Sequence, residues 1–177
     1  MNPVLIIFAH PALQKSRVNR VLLNAAQSVP GVGIHDLYER YPDFQIDVAH
    51  EQQAMREAQT IILQHPFHWY SCPSLLKEWL DVVLTHGWAY GSHGDALKGK
   101  RLMSVISTGG PKDSYQKGGA NHYPISELLV PFDQTARLCG MEYQAPLLFH
   151  GALHAEADVI ATHAAHYQKL LTTLTTS

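Results

Sequence analysis

Val4–Phe8 is a continuous apolar run with no residue suited to face water. A strand buried on both faces reads this way, and such strands belong to parallel sheets covered by helices on either side. The rest of the chain repeats the theme. Ser16 is placed to cap a helix whose apolar face carries Val18, Leu22, Ala25 and Val29. Val32–Leu37 follows as a second strand. A helix over Asp47–Ala58 comes next, with Val48, Met55 and Ala58 as its thin stripe, and then a third strand, Thr60–Gln64. Pro73 suits a first helical turn, ahead of Leu76, Trp79, Leu80 and Val83 at helical spacing. Leu102–Ser107 reads as the fourth strand. Pro124 can open a helix that Pro131 kinks, and Met141–Phe149 holds the fifth strand. The last helix, Ala155–Thr172, buries Ile160, Ala164, Tyr167 and Leu171. Strands alternating with helices in this way specify an α/β layered domain with a parallel sheet.

With 177 residues and no linker or repeat, the whole chain is expected to form one domain, able to bury roughly 70% of its unfolded surface. Thirteen Lys and Arg against fifteen Asp and Glu leave a formal charge of −2. That balance carries no electrostatic footprint for nucleic acid or anionic lipid. The two cysteines, Cys72 and Cys139, are far apart and form no CxxC pair, so reduced cytoplasmic thiols are expected rather than a disulfide scaffold. The start, Met1 to His10, lacks the basic, longer apolar pattern of a signal peptide. No apolar run approaches the ~20 residues that cross a bilayer.

In open sheets of this class, ligands bind outside the carboxyl ends of the strands. Attention therefore falls on the loops after strands one, three and four. The first leads into a helix start, where unpaired N–H groups and the helix dipole suit an anion such as phosphate. Ser16 and Asn19 add hydrogen bonding there, and His10 or Arg17 could add charge; the competing explanation is a plain N-cap. The third-strand loop sets Phe67, Trp69 and Tyr70 between Pro66 and Pro73. Stiffened aromatics suit a planar ligand, and capping of the sheet end is the alternative. The fourth-strand loop opens Ser107-Thr108-Gly109-Gly110, where paired glycines admit close approach to backbone donors, or simply make a turn.

Other patterns carry less. Gly94–Arg101 nearly matches a nucleotide phosphate loop, but Arg101 stands where Ser or Thr would hold magnesium, and the segment precedes a strand instead of following one. Gly31-Val32-Gly33 does not complete a dinucleotide fingerprint. His163 with His166, and His65 with His68, lack the partners of a metal site, and no metal is expected. Cys139 reads as a small buried residue on a helix.

Taken together the chain resembles the flavodoxin-like NAD(P)H:quinone oxidoreductases, and within them the bacterial ancillary proteins of glutathione-regulated potassium efflux systems. The resemblance is carried by Ala9-His10-Pro11, Ser16–Asn19, Asp36-Leu37-Tyr38, Tyr41–Phe44, Gln64–Pro73, Leu76–Asp81, His86–Gly91 and Thr108-Gly109-Gly110. It implies a five-stranded parallel sheet of order 2-1-3-4-5 and an FMN cofactor, with FAD as the alternative. Carried over, His10, Ser16, Arg17, Val18 and Asn19 would hold the phosphate end. Phe67, His68, Trp69 and Tyr70 would line the ring edge, and Ser107, Thr108, Gly109 and Gly110 its pyrimidine side. NAD(P)H and a quinone would use that ring in turn. Relatives place a Tyr and a His after the Gly-Gly pair to assist proton movement. Tyr115 matches the Tyr, while Asn121 holds the His position and His122 lies one residue on. The resemblance also implies a cytoplasmic homodimer, with Trp88 and Tyr90 as edge candidates. A second reading makes the chain a regulatory subunit that docks on the inner face of a potassium efflux antiporter.

Overall fold

The computed structural model describes residues 3–176; the start Met1-Asn2 lies outside them. Its elements are β1 (Val4–Phe8), α1 (Arg17–Gln27), β2 (Val32–Asp36), α2 (Leu37–Arg40), α3 (Val48–Glu57), β3 (Thr60–Pro66), α4 (Ser74–Val83), β4 (Arg101–Ser107), α5 (Ile125–Leu128), α6 (Val130–Leu138), β5 (Glu142–Tyr143), β6 (Leu147–Phe149) and α7 (Ala157–Thr176). The sheet runs β2-β1-β3-β4-β5, with β6 also on β4, and every pairing is parallel. This is the expected order.

Every residue of β1 and β3 is buried, as the unbroken apolar run requires. Alternate residues feed two cores. Val4, Ile6 and Phe8 pack with Val18 and Leu22 of α1 and with Tyr167 and Leu171 of α7. Leu5 and Ile7 pack on the other side with Met55 of α3, Trp79 of α4 and Phe132 of α6. No helix among the described residues is long and apolar enough to cross a membrane.

Three sequence expectations shift in detail. The buried face of α1 is Val18, Asn19, Leu22, Leu23 and Ala26. Ala25 is only half-buried and Val29 packs beyond the helix end, because α1 is wedged between sheet and α7 and so buries a broader face. In α3 a glutamate, Glu51, takes the buried place beside Met55, while Val48 is half-buried. The single fifth strand is two short ones, broken at Gln144-Ala145-Pro146, where proline has no N–H to donate to the ladder. Pro131 does divide its helix, giving α5 and α6, and α7 buries the four expected residues.

Glu51 is completely buried and accepts from three donors. His35 Nδ1 lies 2.8 and 2.9 Å from its two oxygens, Tyr41 donates its hydroxyl at 2.8 Å, and Trp79 donates Nε1 at 3.0 Å. One carboxylate thus ties β2, the α2 exit, α3 and α4 together. Burial pushes its pKa up; the His35 hydrogen bond and charge, with Tyr41 and Trp79, reverse that and leave it below the ordinary carboxylate value.

Candidate functional site

Strand register assembles the site. Phe8 pairs with Gln64, Pro66 with Ser107, and Ser107 with Phe149, so the carboxyl ends of β1, β3, β4 and β6 form one edge. Two clefts open along it and share Phe67 and Gly109.

The first cleft encloses about 440 Å³. His10, Ser16, Arg17, Val18, Asn19, Phe67, His68, Ser107 and Gly109 line it, nine of the residues expected from sequence. Ser16 does cap α1: its Oγ accepts from Asn19 N at 3.1 Å. Asn19 is buried, and its Nδ2 bridges Ser16 Oγ at 3.1 Å and Ser107 Oγ at 2.9 Å, pinning the helix start to the end of β4. The cap leaves the N–H groups of Arg17 and Val18 without an acceptor among the described residues. Val18 can offer only that backbone group, since its side chain is buried in the core. His10 Nδ1 accepts from Ala12 N at 3.1 Å, so a neutral His10 carries its proton on Nε2. Burial lowers its pKa and nearby His68 lowers it further, which favours the neutral form. Ala12, Lys15, Pro66, Ala152 and Leu153 complete the wall.

The second cleft, about 410 Å³, carries no charged side chain. Phe67, Trp69, Tyr70, Gly109, Gly110, Ser114, Tyr115, Ala120 and Asn121 form it. Trp69 is 93% exposed, so it caps no sheet end; it stands free at the lip with Tyr70. Trp69 and Tyr70 have φ of 49° and 62°, two successive non-glycine residues in the left-handed region. That conformation costs on the order of 1–3 kcal/mol per residue and persists only where its surroundings enforce it. Ser71 N donates to His68 O at 2.9 Å across the two residues, and Pro66 O anchors the stretch before them, accepting from His68 N at 3.0 Å and from His65 Nδ1 at 2.9 Å. His65 is wholly buried, and burial drives its pKa down to about 4, so it stays neutral and donates.

The Gly-Gly loop is stapled from behind. Thr108 N donates to Phe149 O, Ala152 N to Thr108 O, and Gly151 N to Gly110 O, all at 2.8 to 2.9 Å. The N–H groups of Gly109 and Gly110 keep no acceptor among the described residues. A Cβ at Gly109 would come within 3.3 Å of Leu153 and crowd the first cleft.

Two expected residues are placed elsewhere. Thr108 is buried and lines neither cleft: its N–H is taken by Phe149, and its Oγ1 donates to Gly110 O at 2.8 Å, so it braces the loop. His122 is exposed with φ 61° and lines neither cleft, because the turn sends Asn121 inward instead. Asn121 Oδ1 accepts from the Tyr70 hydroxyl at 3.2 Å. Tyr115 lies where expected, its ring 6.0 Å from Phe67. Trp88 and Tyr90 pack against the α4-side core and line neither cleft. His150 went unnoticed in the sequence. It follows β6, and the rule that pointed to the loops after strands one, three and four applies equally to the fifth.

Known proteins are consistent with this geometry. The model of the flavodoxin-like fold family matches residues 2–171. The glutathione-regulated potassium-efflux system ancillary protein KefG of Serratia proteamaculans is 51% identical over 164 residues, 93% of this chain and 90% of that protein. A structure described as a thermophilic tryptophan halogenase from Streptomycin violaceusniger superposes with TM-score 0.91 at 45% identity, covering 93% of this chain and 96% of its own. General stress protein 14 of Treponema denticola, solved in complex with FMN, gives 0.91 at 40% identity, over 97% and 98%. An NADPH-quinone reductase from P. pentosaceus gives 0.87 at 37%, over 96% and 97%. Their described activities differ, so reaction must be argued from the site. The chain belongs to the flavodoxin-like fold family and is a relative of the potassium-efflux ancillary proteins.

Proposed function

We propose that this protein is an FMN-dependent NAD(P)H:quinone oxidoreductase that exchanges reductant and oxidant at one site. The observation that carries the reading is the joined pair of clefts: one cationic and set on a helix start, the other uncharged and aromatic-lipped. A molecule with an anionic tail and a flat, neutral head matches both, and its FMN-bound relative from Treponema denticola supports the assignment. When bound, the flavin supplies two-electron hydride chemistry to and from its ring.

The chain's own residues do the rest. The free N–H groups of Arg17 and Val18, with Lys15, Arg17 and the Nε2–H of His10, would bind the phosphate. Phe67, Trp69 and Tyr70 would hold the ring plane. The Gly109 and Gly110 N–H groups, fixed by the staple to the β6 loop, would stabilise negative charge on the pyrimidine side. Tyr115, in the same cleft, would give a proton to the quinone oxygen. One open cleft for both NAD(P)H and quinone implies ping-pong kinetics. Exposed Trp69 and Leu153 at the rim suit a homodimer closing over it.

The purified protein should be yellow, release FMN rather than FAD on denaturation, and oxidise NAD(P)H only when a quinone is supplied, with parallel double-reciprocal plots. A colourless protein that FMN cannot reconstitute ends this reading. Similarity to the KefG ancillary protein supports a second role: a cytoplasmic subunit docked on a potassium efflux antiporter. Co-purification with the antiporter, and impaired efflux in cells lacking the subunit, would establish it.

A further inference from the structure

Spacing along the chain points to no metal site, but it does not pair His35 of β2 with His50 in the first turn of α3, which meet only in the fold. Their rings stack 5.3 Å apart at 17°, and a nitrogen of each lies within 4.8 Å of the other and of a Glu51 oxygen. A carboxylate has acceptors only, and Glu51 already accepts from Tyr41 and Trp79. It therefore accepts from His35 too, at 2.8 and 2.9 Å, and His35 carries its proton on Nδ1. The lone pair of the neutral ring is left on Nε2, at the edge away from Glu51. His35 is only 8% exposed, yet Nε2 is not among the sealed atoms and has no partner among the described residues. It opens on the cleft of about 220 Å³ that His35 lines. His50, Gln53 and Glu57, spaced along one face of α3, line the same cleft. Glu57 is exposed, and the Gln53 amide occupies one of its oxygens at 2.8 Å.

We propose that this cleft is a binding site for a divalent zinc ion, held by His35 Nε2 and the His50 imidazole, with Glu57 and water completing the shell. Two imidazoles and a carboxylate suit a four-coordinate borderline ion such as Zn²⁺. Calcium and magnesium prefer shells of oxygen alone. Glu51 is not a ligand, because its oxygens are engaged by three donors. It stands behind His35, fixing the tautomer and the ring's direction and raising the basicity of Nε2, as the carboxylates behind metal-bound histidines do. A bound ion would clip β2 to α3 and stabilise the fold by mass action.

One group competes with the ion. Arg40 Nη1 donates to His50 Nε2 at 3.2 Å. Both side chains are exposed, so Arg40 can return to solvent while His50 turns about its own side-chain bonds towards His35. The site shares no residue with the two clefts at the strand ends, so it is independent of the cofactor reading. His163 and His166 form the other stacked pair of histidines, 6.4 Å apart. They lack the same support: His163 Nε2 is sealed from solvent, and no carboxylate is hydrogen-bonded to either ring among the described residues.

The test titrates the whole protein, freed of metal with a chelator, with zinc chloride in a calorimeter. The wild-type protein should show a saturable site. His50→Ala changes only an exposed side chain and should weaken that site by at least the ~10–100-fold typical of losing a carboxylate behind a ligand. Arg40→Ala should tighten it about two- to tenfold, the worth of one exposed hydrogen bond. His166→Ala should leave it within about twofold, since the proposal gives that residue no part. In ¹⁵N-histidine NMR, zinc should shift His35 Nε2 while Nδ1 keeps its proton. Absence of saturable binding overturns the proposal. So does a His50→Ala variant that binds as wild type does, a site lost with His166 instead, or a His35 ring whose signals zinc leaves in place.

Discussion

Replacing Glu51 with alanine should be among the most damaging single changes in this protein, although the residue touches no ligand. Three donors lose their acceptor together. Trp79 Nε1 and the Tyr41 hydroxyl belong to residues only 1% and 7% exposed, so water cannot readily replace the carboxylate. A sealed, unsatisfied donor costs about 1–3 kcal/mol. Two of them cost about 2–6 kcal/mol, in line with the ~3–5 kcal/mol typical of breaking a buried charged pair. His35, beside a cleft of about 220 Å³, can recover some hydration and adds less. The expected loss is about 4 kcal/mol, a large share of the ~5–15 kcal/mol available to a domain. With a urea m-value of about 2 kcal/mol/M, the unfolding midpoint should fall by about 2 M at unchanged m. Glu51→Gln keeps one acceptor and should fall roughly half as far. The pH dependence has a fixed sign. Glu51 is held below its unfolded value, so its contribution is present above that value and is lost as pH falls through the folded one. Glu51→Ala should therefore flatten the acid limb of the stability curve. A midpoint shift under about 0.5 M would refute the reasoning, since it would mean the donors find other partners.

Three further outcomes are expected. Trp69→Ala should leave folding stability within about 0.5 kcal/mol, because the residue is exposed, yet weaken FMN binding about 5- to 100-fold by removing aromatic surface; urea unfolding checks the first and titration of the apoprotein with FMN the second, and unchanged affinity would assign Trp69 no part in the site. Tyr115→Phe should slow quinone reduction about 10- to 100-fold with FMN affinity preserved, a loss that stopped-flow traces would show and that equal rates would deny. His65, neutral when folded with a pKa of about 4 against an ordinary 6.5, binds fewer protons than the unfolded chain between those values. Stability should then decline as pH drops from 6.5 towards 4, by on the order of 3 kcal/mol from this group, and His65→Leu should remove that slope.

The architecture was legible because its signals are local. An unbroken Val4–Phe8 means two buried faces wherever it is read, and the four-residue stripe on α7 is buried as its spacing requires. Ser16 could be named as a cap because capping involves groups three residues apart. The loops lining both clefts were likewise visible, since in a parallel sheet of this order the carboxyl ends must share an edge. Glu51 was not legible. A polar residue on a helix is ordinarily solvated, and only folding brings in the donors of His35, Tyr41 and Trp79 from three other segments. The same holds at the site. The resemblance points to Thr108 for the pyrimidine side of a ring and to His122, one residue past the matching position, for proton movement, and neither lines a cleft. Whether Asn121 or His122 turns inward depends on a single positive φ, and whether Thr108 faces forward or back depends on hydrogen bonds to Phe149 and His150, some forty residues away. Patterning along the chain determined which segments meet at the sheet's edge. Side-chain direction within that meeting was decided by long-range hydrogen bonds, which local spacing does not encode.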